Sequence, residues 1–179
     1  MCGDSIRVNA HIVPGFLQTP DYARAVITGT GPWLDAGDVD RRVAARTARQ
    51  QALLDRDDPP EIHVVLDEAV LHRQIGGPAV TYAQLTALSA ASKRPNVTIQ
   101  ILPFSAGAAA GLDGEFVILT FPGTEDAPIA YAEGLMGDIY LESEQELDRY
   151  NLAWTHLSTQ VLSPGKSIAM IGKLTKELQ

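Results

Sequence analysis

At 179 residues, 45% of them apolar, the chain is long enough for one domain with a real core. Its formal net charge of −8 argues against holding nucleic acid or an anionic membrane by bulk electrostatics. One cysteine, Cys2, excludes a disulfide framework and a cysteine metal cluster, and no stretch approaches the roughly eighteen apolar residues of a membrane helix. The first ten residues lack the basic-then-apolar layout of a secretory leader, so a cytoplasmic protein is the simplest expectation.

Residues 11–15 (HIVPG) read as a short extended segment closing in a turn. Thr19-Pro20-Asp21 then opens a helix: Thr19 is the N-cap, Pro20 fills the first position, and Asp21 faces the positive end of the dipole. It should stop near Gly29. A second helix is expected from Asp38 to about Asp55, with Arg42, Arg46 and Arg49 on one face. Asp57-Asp58-Pro59-Pro60 breaks the chain. Residues 61–66 (EIHVVL) form a strand, and Asp67 caps a short helix reaching about Gln74 and ending at Gly76-Gly77. A helix from Thr81 to Ser92 turns Leu85 and Leu88 inward.

Residues 97–121 look like the stretch around which the rest is organised. Val97, Ile99 and Ile101 alternate with Thr98 and Gln100 as in a half-buried strand, and Pro103 stops it. A loop of small residues follows, and the apolar run from Phe116 to Phe121 suggests a strand covered on both faces. The strand at 61–66, the helix from Thr81 and the strand at Val97, in this order, favour a parallel, right-handed crossover if the two strands share a sheet. After a turn at PGTEDAP, Ile129 to Glu133 should return as a hairpin strand. A second turn, Gly134-Leu135-Met136-Gly137, leads to a short strand from Asp138 to Leu141. The box Ser143-Glu144-Gln145-Glu146 opens a helix whose apolar stripe is Leu147, Tyr150, Trp154, Leu157 and Val161. Ser163 and Pro164 restart the chain as N-cap and first position, with Ile168, Ile171, Leu174 and Leu178 as the next stripe. The pattern predicts one α/β or α+β domain over 1–179: a central mixed sheet of about four to five strands covered by helices, with two C-terminal amphipathic helices.

Five motifs together are specific: VPGFLQTPDYARAV (13–26), RQQALL (49–54), VVLDEAVLHRQIGGP (64–78), NVTIQILPFSAG (96–107) and SPGKS (163–167). In matching order, from about Ile12 onward, they resemble the domain of unknown function that follows an Xre-type helix-turn-helix in actinobacterial, antitoxin-like transcriptional regulators. The resemblance implies a regulatory domain and assigns no catalytic residue. This sequence departs from it in two ways. No helix-turn-helix motif or DNA-binding domain is present, so the chain reads as a trimmed regulator or a stand-alone copy. Ala109 and Ala110 also stand where such regulators often carry a His-Pro pair.

Few residues carry recognisable chemistry. Gly165-Lys166-Ser167 is similar to the end of a phosphate loop, but position 160 is glutamine and Pro164 follows a helix rather than a strand. The four histidines have no metal-ligand spacing, and no cofactor or metal is expected. Cys2 lies too near the terminus to make a good nucleophile, and Asn96-Val97-Thr98, which matches a glycosylation sequon, is expected to be a chance match if the protein is cytoplasmic. Glu68, at a strand end where ligands gather, and Glu133, continuing the alternation of Ile129 and Tyr131, are the candidate acid–base groups of an enzyme. Against this stand the plainer readings, in which Glu68 complements a helix dipole and Glu133 reaches solvent from a strand end. His63, Phe104, Leu112, Tyr131 and Trp154 are candidates to line a ligand pocket, although at their spacing the aromatics are more often core. Arg42, Arg46 and Arg49 form a basic stripe that could dock an acidic partner or pair with nearby aspartates.

The leading expectation is a regulatory domain that senses a small-molecule effector or binds a small partner protein. It would bind no nucleic acid directly and no membrane, and a homodimer is compatible with it. The alternative is a stand-alone biosynthetic enzyme, a cofactor-free cyclase or isomerase acting on a small, largely apolar metabolite in natural-product chemistry, with Glu68 and Glu133 as its acid–base groups.

Overall fold

A computed structural model describes residues 4–121, 127–134 and 137–178. Cys2, most of the first turn expected between the later strands (122–126) and half of the second (135–136) lie outside the described residues. Over the described residues the domain is α+β: one six-stranded mixed sheet in the order β3-β2-β1-β4-β5-β6, and six α-helices. Two of those helices, amphipathic ones, close the chain.

The sheet is built outward from β1 (Ser5–Ala10), which pairs in parallel with β2 (Glu61–Asp67) and antiparallel with β4 (Phe116–Thr120). This corrects the expectation that residues 97–121 form the centre. Among the described residues β3 (Val97–Leu102) pairs with β2 alone and lies at an edge. The sequence SIRVNA alternates Ile6, Val8 and Ala10 with Arg7 and Asn9, a period-2 pattern. Counting β1 brings the strands to six. β2 and β3 are parallel, as the intervening helix required, and β5 (Ile129–Ala132) and β6 (Ile139–Leu141) follow β4 as antiparallel neighbours.

Alternation gives the sheet two unlike faces. Ile6, Val8, Ala10, Ile62, Val64, Leu66, Ile99 and Ile101 pack on Tyr22 and Val26 of α1 (Pro20–Thr30), on Leu85 and Leu88 of α4 (Pro78–Ala91) and on Ile171 of α6 (Pro164–Glu177). On the other face Val65, Leu102, Phe116, Ile118 and Ala130 meet Leu147, Trp154 and Leu157 of α5 (Glu144–Gln160). α2 (Ala36–Leu54) packs on α1 through Val39 and Val43 against Ala23 and Ile27.

Local sequence sets most helix ends. Thr19 Oγ1 accepts from the Tyr22 amide, Pro20 lies in the first turn, and Ser143 accepts from Glu146. α2 starts earlier than Asp38 because Asp35 is the cap, accepting from the Asp38 amide at 2.7 Å. α4 likewise starts at Pro78 rather than Thr81, since Gly77 at φ 88° ends the preceding turn. The helix after Asp67 is only α3 (Ala69–His72), and its N-cap residue is Glu68, which makes no side-chain cap bond, rather than Asp67; the Asp67 side chain accepts from the Ala69 amide at 2.8 Å. Ser163 is the N-cap of α6 but makes no side-chain cap bond. β4 is covered unequally. Phe116 and Ile118 are buried under α5, while on the opposite face Val117 packs at the margin of the first core and, like Leu119, is only half-buried.

Candidate functional site

A cleft of about 570 Å³ opens on the α5 face, at the end of the sheet where β4 begins and β5 ends. Such a volume is in the range of small-molecule sites. Its floor is Phe116, Ala132 and Leu141, one wall is Ala110, Asp113, Gly114 and Glu115 from the small-residue loop, and the other is Glu146, Arg149, Tyr150 and Ala153 of α5. The rings of Phe116 and Tyr150 meet edge-on at 5.2 Å, bridging floor and wall.

The loop wall is held by β1. The Asn9 side chain, buried, donates to the carbonyls of Gly111 (2.8 Å) and Gly114 (3.0 Å). His11 Nε2 donates to Gly111 O at 3.0 Å, and the His11 amide donates to Glu115 Oε1 at 2.6 Å. A Cβ on Gly111 would stand 2.5 Å from Asn9 Oδ1, so this close approach needs glycine. The loop is therefore a fixed wall, tied at several points to the central strand.

Charge in the cleft is mostly negative: Asp113, Glu115, Glu133 and Glu146 against Arg149. Glu133 follows the last residue of β5, and Val117 pairs with Tyr131, so Glu115 and Glu133 leave adjacent strand ends together. Desolvation, and then the neighbouring Asp138 and Glu115 carboxylates, raise the Glu133 carboxyl above its ordinary value; Arg46 and Arg49 act the other way.

The other residues singled out in the sequence are dispersed. Glu68 lies outside the cleft, accepting from the Phe104 amide at 2.6 Å and standing 3.5 Å from His72 Nε2. Phe104 and Leu112 are exposed, Phe104 stacking on His72 at 5.7 Å. Tyr131 is half-buried beside Tyr140, its ring 5.8 Å away; burial first, then Glu133 and Tyr140, push its phenol up to about 12. Arg42 and Arg49 are exposed on α2, but Arg46 turns inward and donates to Gln18 Oε1 at 2.7 Å.

His63 and Trp154 belong to a second polar cluster, under the C-terminal half of α5. Their rings meet edge-on at 4.9 Å, and His63 Nε2 donates to Gln100 Oε1 at 2.5 Å. Gln100 in turn donates to Leu162 O at 2.7 Å. Arg7 joins from β1: it donates to Asn151 Oδ1 at 2.8 Å, stands over the Trp154 ring at 5.9 Å, and has a buried Nε with no hydrogen-bond partner among the described residues. Burial, with the Arg7 cation adding to it, lowers the His63 pKa, while the bond to Gln100 opposes that. Sequence reasoning missed Arg7 and Asn9, which are legible only once SIRVNA is read as a strand. It also missed Arg149, an ordinary polar position on α5.

Among the described residues no group of three or more His, Cys, Asp or Glu side chains could hold a metal, and no helix is long and apolar enough to cross a membrane. A family model described as Domain of unknown function (DUF5753) matches residues 2–173. Neither the curated proteins nor the solved structures provide a match.

Proposed function

The chain belongs to the DUF5753 family, and from that premise we propose that it is a regulatory domain whose cleft between the 107–115 loop and α5 binds a small-molecule effector. The observation that carries this reading is the 570 Å³ cleft itself, with its apolar floor and charged rim. The excess of carboxylates there selects against anionic ligands and favours a partly apolar molecule that is neutral or cationic. The regulatory half of the proposal rests on the resemblance to domains that follow a helix-turn-helix. Where such a segment is attached, occupancy of the cleft would be read out as a change in DNA binding.

The test is mass spectrometry of the protein as its own host makes it, under native and then denaturing conditions. A small molecule retained natively and released on denaturation is the expected result. Filling the cleft with Ala153→Phe should abolish retention and leave the fold intact by circular dichroism. Equal retention by that variant would overturn the assignment of the cleft.

One observation supports a second reading, a cofactor-free cyclase or isomerase. Glu133 lines the cleft with a raised pKa, as a general acid or base would. Glu68, its expected partner, is engaged with Phe104 and His72 outside the cleft. In this reading Glu133 would act with other cleft groups. Turnover of the retained molecule by the native protein, lost in Glu133→Gln with binding kept, would favour the enzyme.

A further inference from the structure

The two edges of the sheet are finished differently. At the β3 edge the chain covers itself: the Leu162 amide donates to Ile101 O at 2.8 Å, and the Ile101 amide donates to buried Ser167 Oγ at 3.0 Å. At the β6 edge no hydrogen bond from elsewhere in the chain reaches Ile139–Leu141 among the described residues, apart from the ladder to β5. The two side chains leading β6 are large, apolar and open to solvent, Ile139 at 61% and Tyr140 at 64% exposure. Tyr140 extends the aromatic row begun by Tyr131. An uncovered edge with apolar side chains on both faces is a template for another strand.

Charge decides which strand. Asp138 and Glu142, both exposed, flank Ile139–Leu141, each two residues from Tyr140. A second copy pairing antiparallel about Tyr140 would set Asp138 against Glu142 twice, a repulsive register. A strand with basic residues at those two positions makes two attractive cross-strand pairs instead. We propose that β6 is a docking edge that adds an extended basic–apolar–basic segment of another protein as a seventh strand. Its apolar residues would lie beside Ile139 and Leu141, and its lysines or arginines opposite Asp138 and Glu142. The inference stands whatever ligand the cleft takes.

A palindromic probe, acetyl-Thr-Lys-Val-Thr-Val-Lys-Thr-amide, places its lysines opposite both carboxylates in either strand direction. Amide NMR on the full chain should show shifts and slowed hydrogen exchange centred on Ile139–Leu141. The peptide with glutamate in place of lysine should bind about tenfold more weakly, as expected for two cross-strand pairs turned from attractive to repulsive. The double variant D138K/E142K should reverse the preference, and methylating the probe's backbone amides should abolish binding. Failure of the lysine probe to perturb 139–141 at millimolar concentration would overturn the proposal. So would equal binding of the lysine and glutamate peptides, or self-association of the chain through β6.

Discussion

Asn9 shows how one residue on the central strand decides the form of the cleft. Its amide holds two loop carbonyls, and Gly111 approaches it too closely for any side chain. Gly111→Ala should therefore lose about 1–3 kcal/mol of unfolding free energy, from overpacking and a strained or broken buried hydrogen bond. Denaturant melts measure this, and effector retention should fall with it. Glu133 makes a prediction of the opposite sign. Its carboxyl is raised in the folded state, so between the ordinary value of 4.5 and the raised one the folded chain holds more proton than the unfolded chain. Stability contributed by this group is then lost as pH rises through that window. Glu133→Gln should be more stable than the parent at pH 7, and the difference should vanish towards pH 4; parallel melts across that range check it.

At the scale of elements, α5 and α6 do different work although both are amphipathic. α5 covers the polar-striped face and supplies one wall of the cleft, whereas α6 packs on the opposite face and its Ser167 closes the β3 edge. Leu157→Ala on α5 removes a fully buried side chain and should cost about 2–5 kcal/mol. Ser167→Ala leaves the buried Ile101 amide without its acceptor and should cost about 1–3 kcal/mol. Both are read from urea melts. The capping signals at Thr19 and Ser143 and the apolar stripes of α5 and α6 were legible because each depends on neighbours within a few residues. α2 and α4 begin before Asp38 and Thr81 because Asp35 as a cap and Pro78 in the first turn are themselves good starting residues, and local sequence does not rank them against the later ones.

Over the whole molecule, order should grade across the sheet. β1 and β2 are flanked by strands on both sides, β6 by β5 alone. Hydrogen exchange should be slowest at Val64–Leu66, which are fully buried, and fastest among the strands at Ile139–Leu141. Protection of β6 equal to that of β2 in the isolated protein would mean that its edge is already covered.

The sequence by itself determined a layered α/β or α+β domain (the tertiary structure made it α+β), a parallel pairing for β2 and β3 if they share a sheet, the β4–β5 hairpin and the two closing helices. Each follows from periodicity and from turn or cap residues close along the chain. It also marked the small-residue loop, although not what the loop leans on. Only the tertiary structure decided that SIRVNA is the central strand. A strand of six residues beside the terminus shows little by itself, and it is made central by pairing with partners more than fifty residues away. The same long-range pairing put Glu133 in the cleft, sent Glu68 elsewhere, and buried His63 and Trp154 with Arg7. Which side chains share a cavity depends on strand order and on the placement of α5, and neither is a local property of the chain.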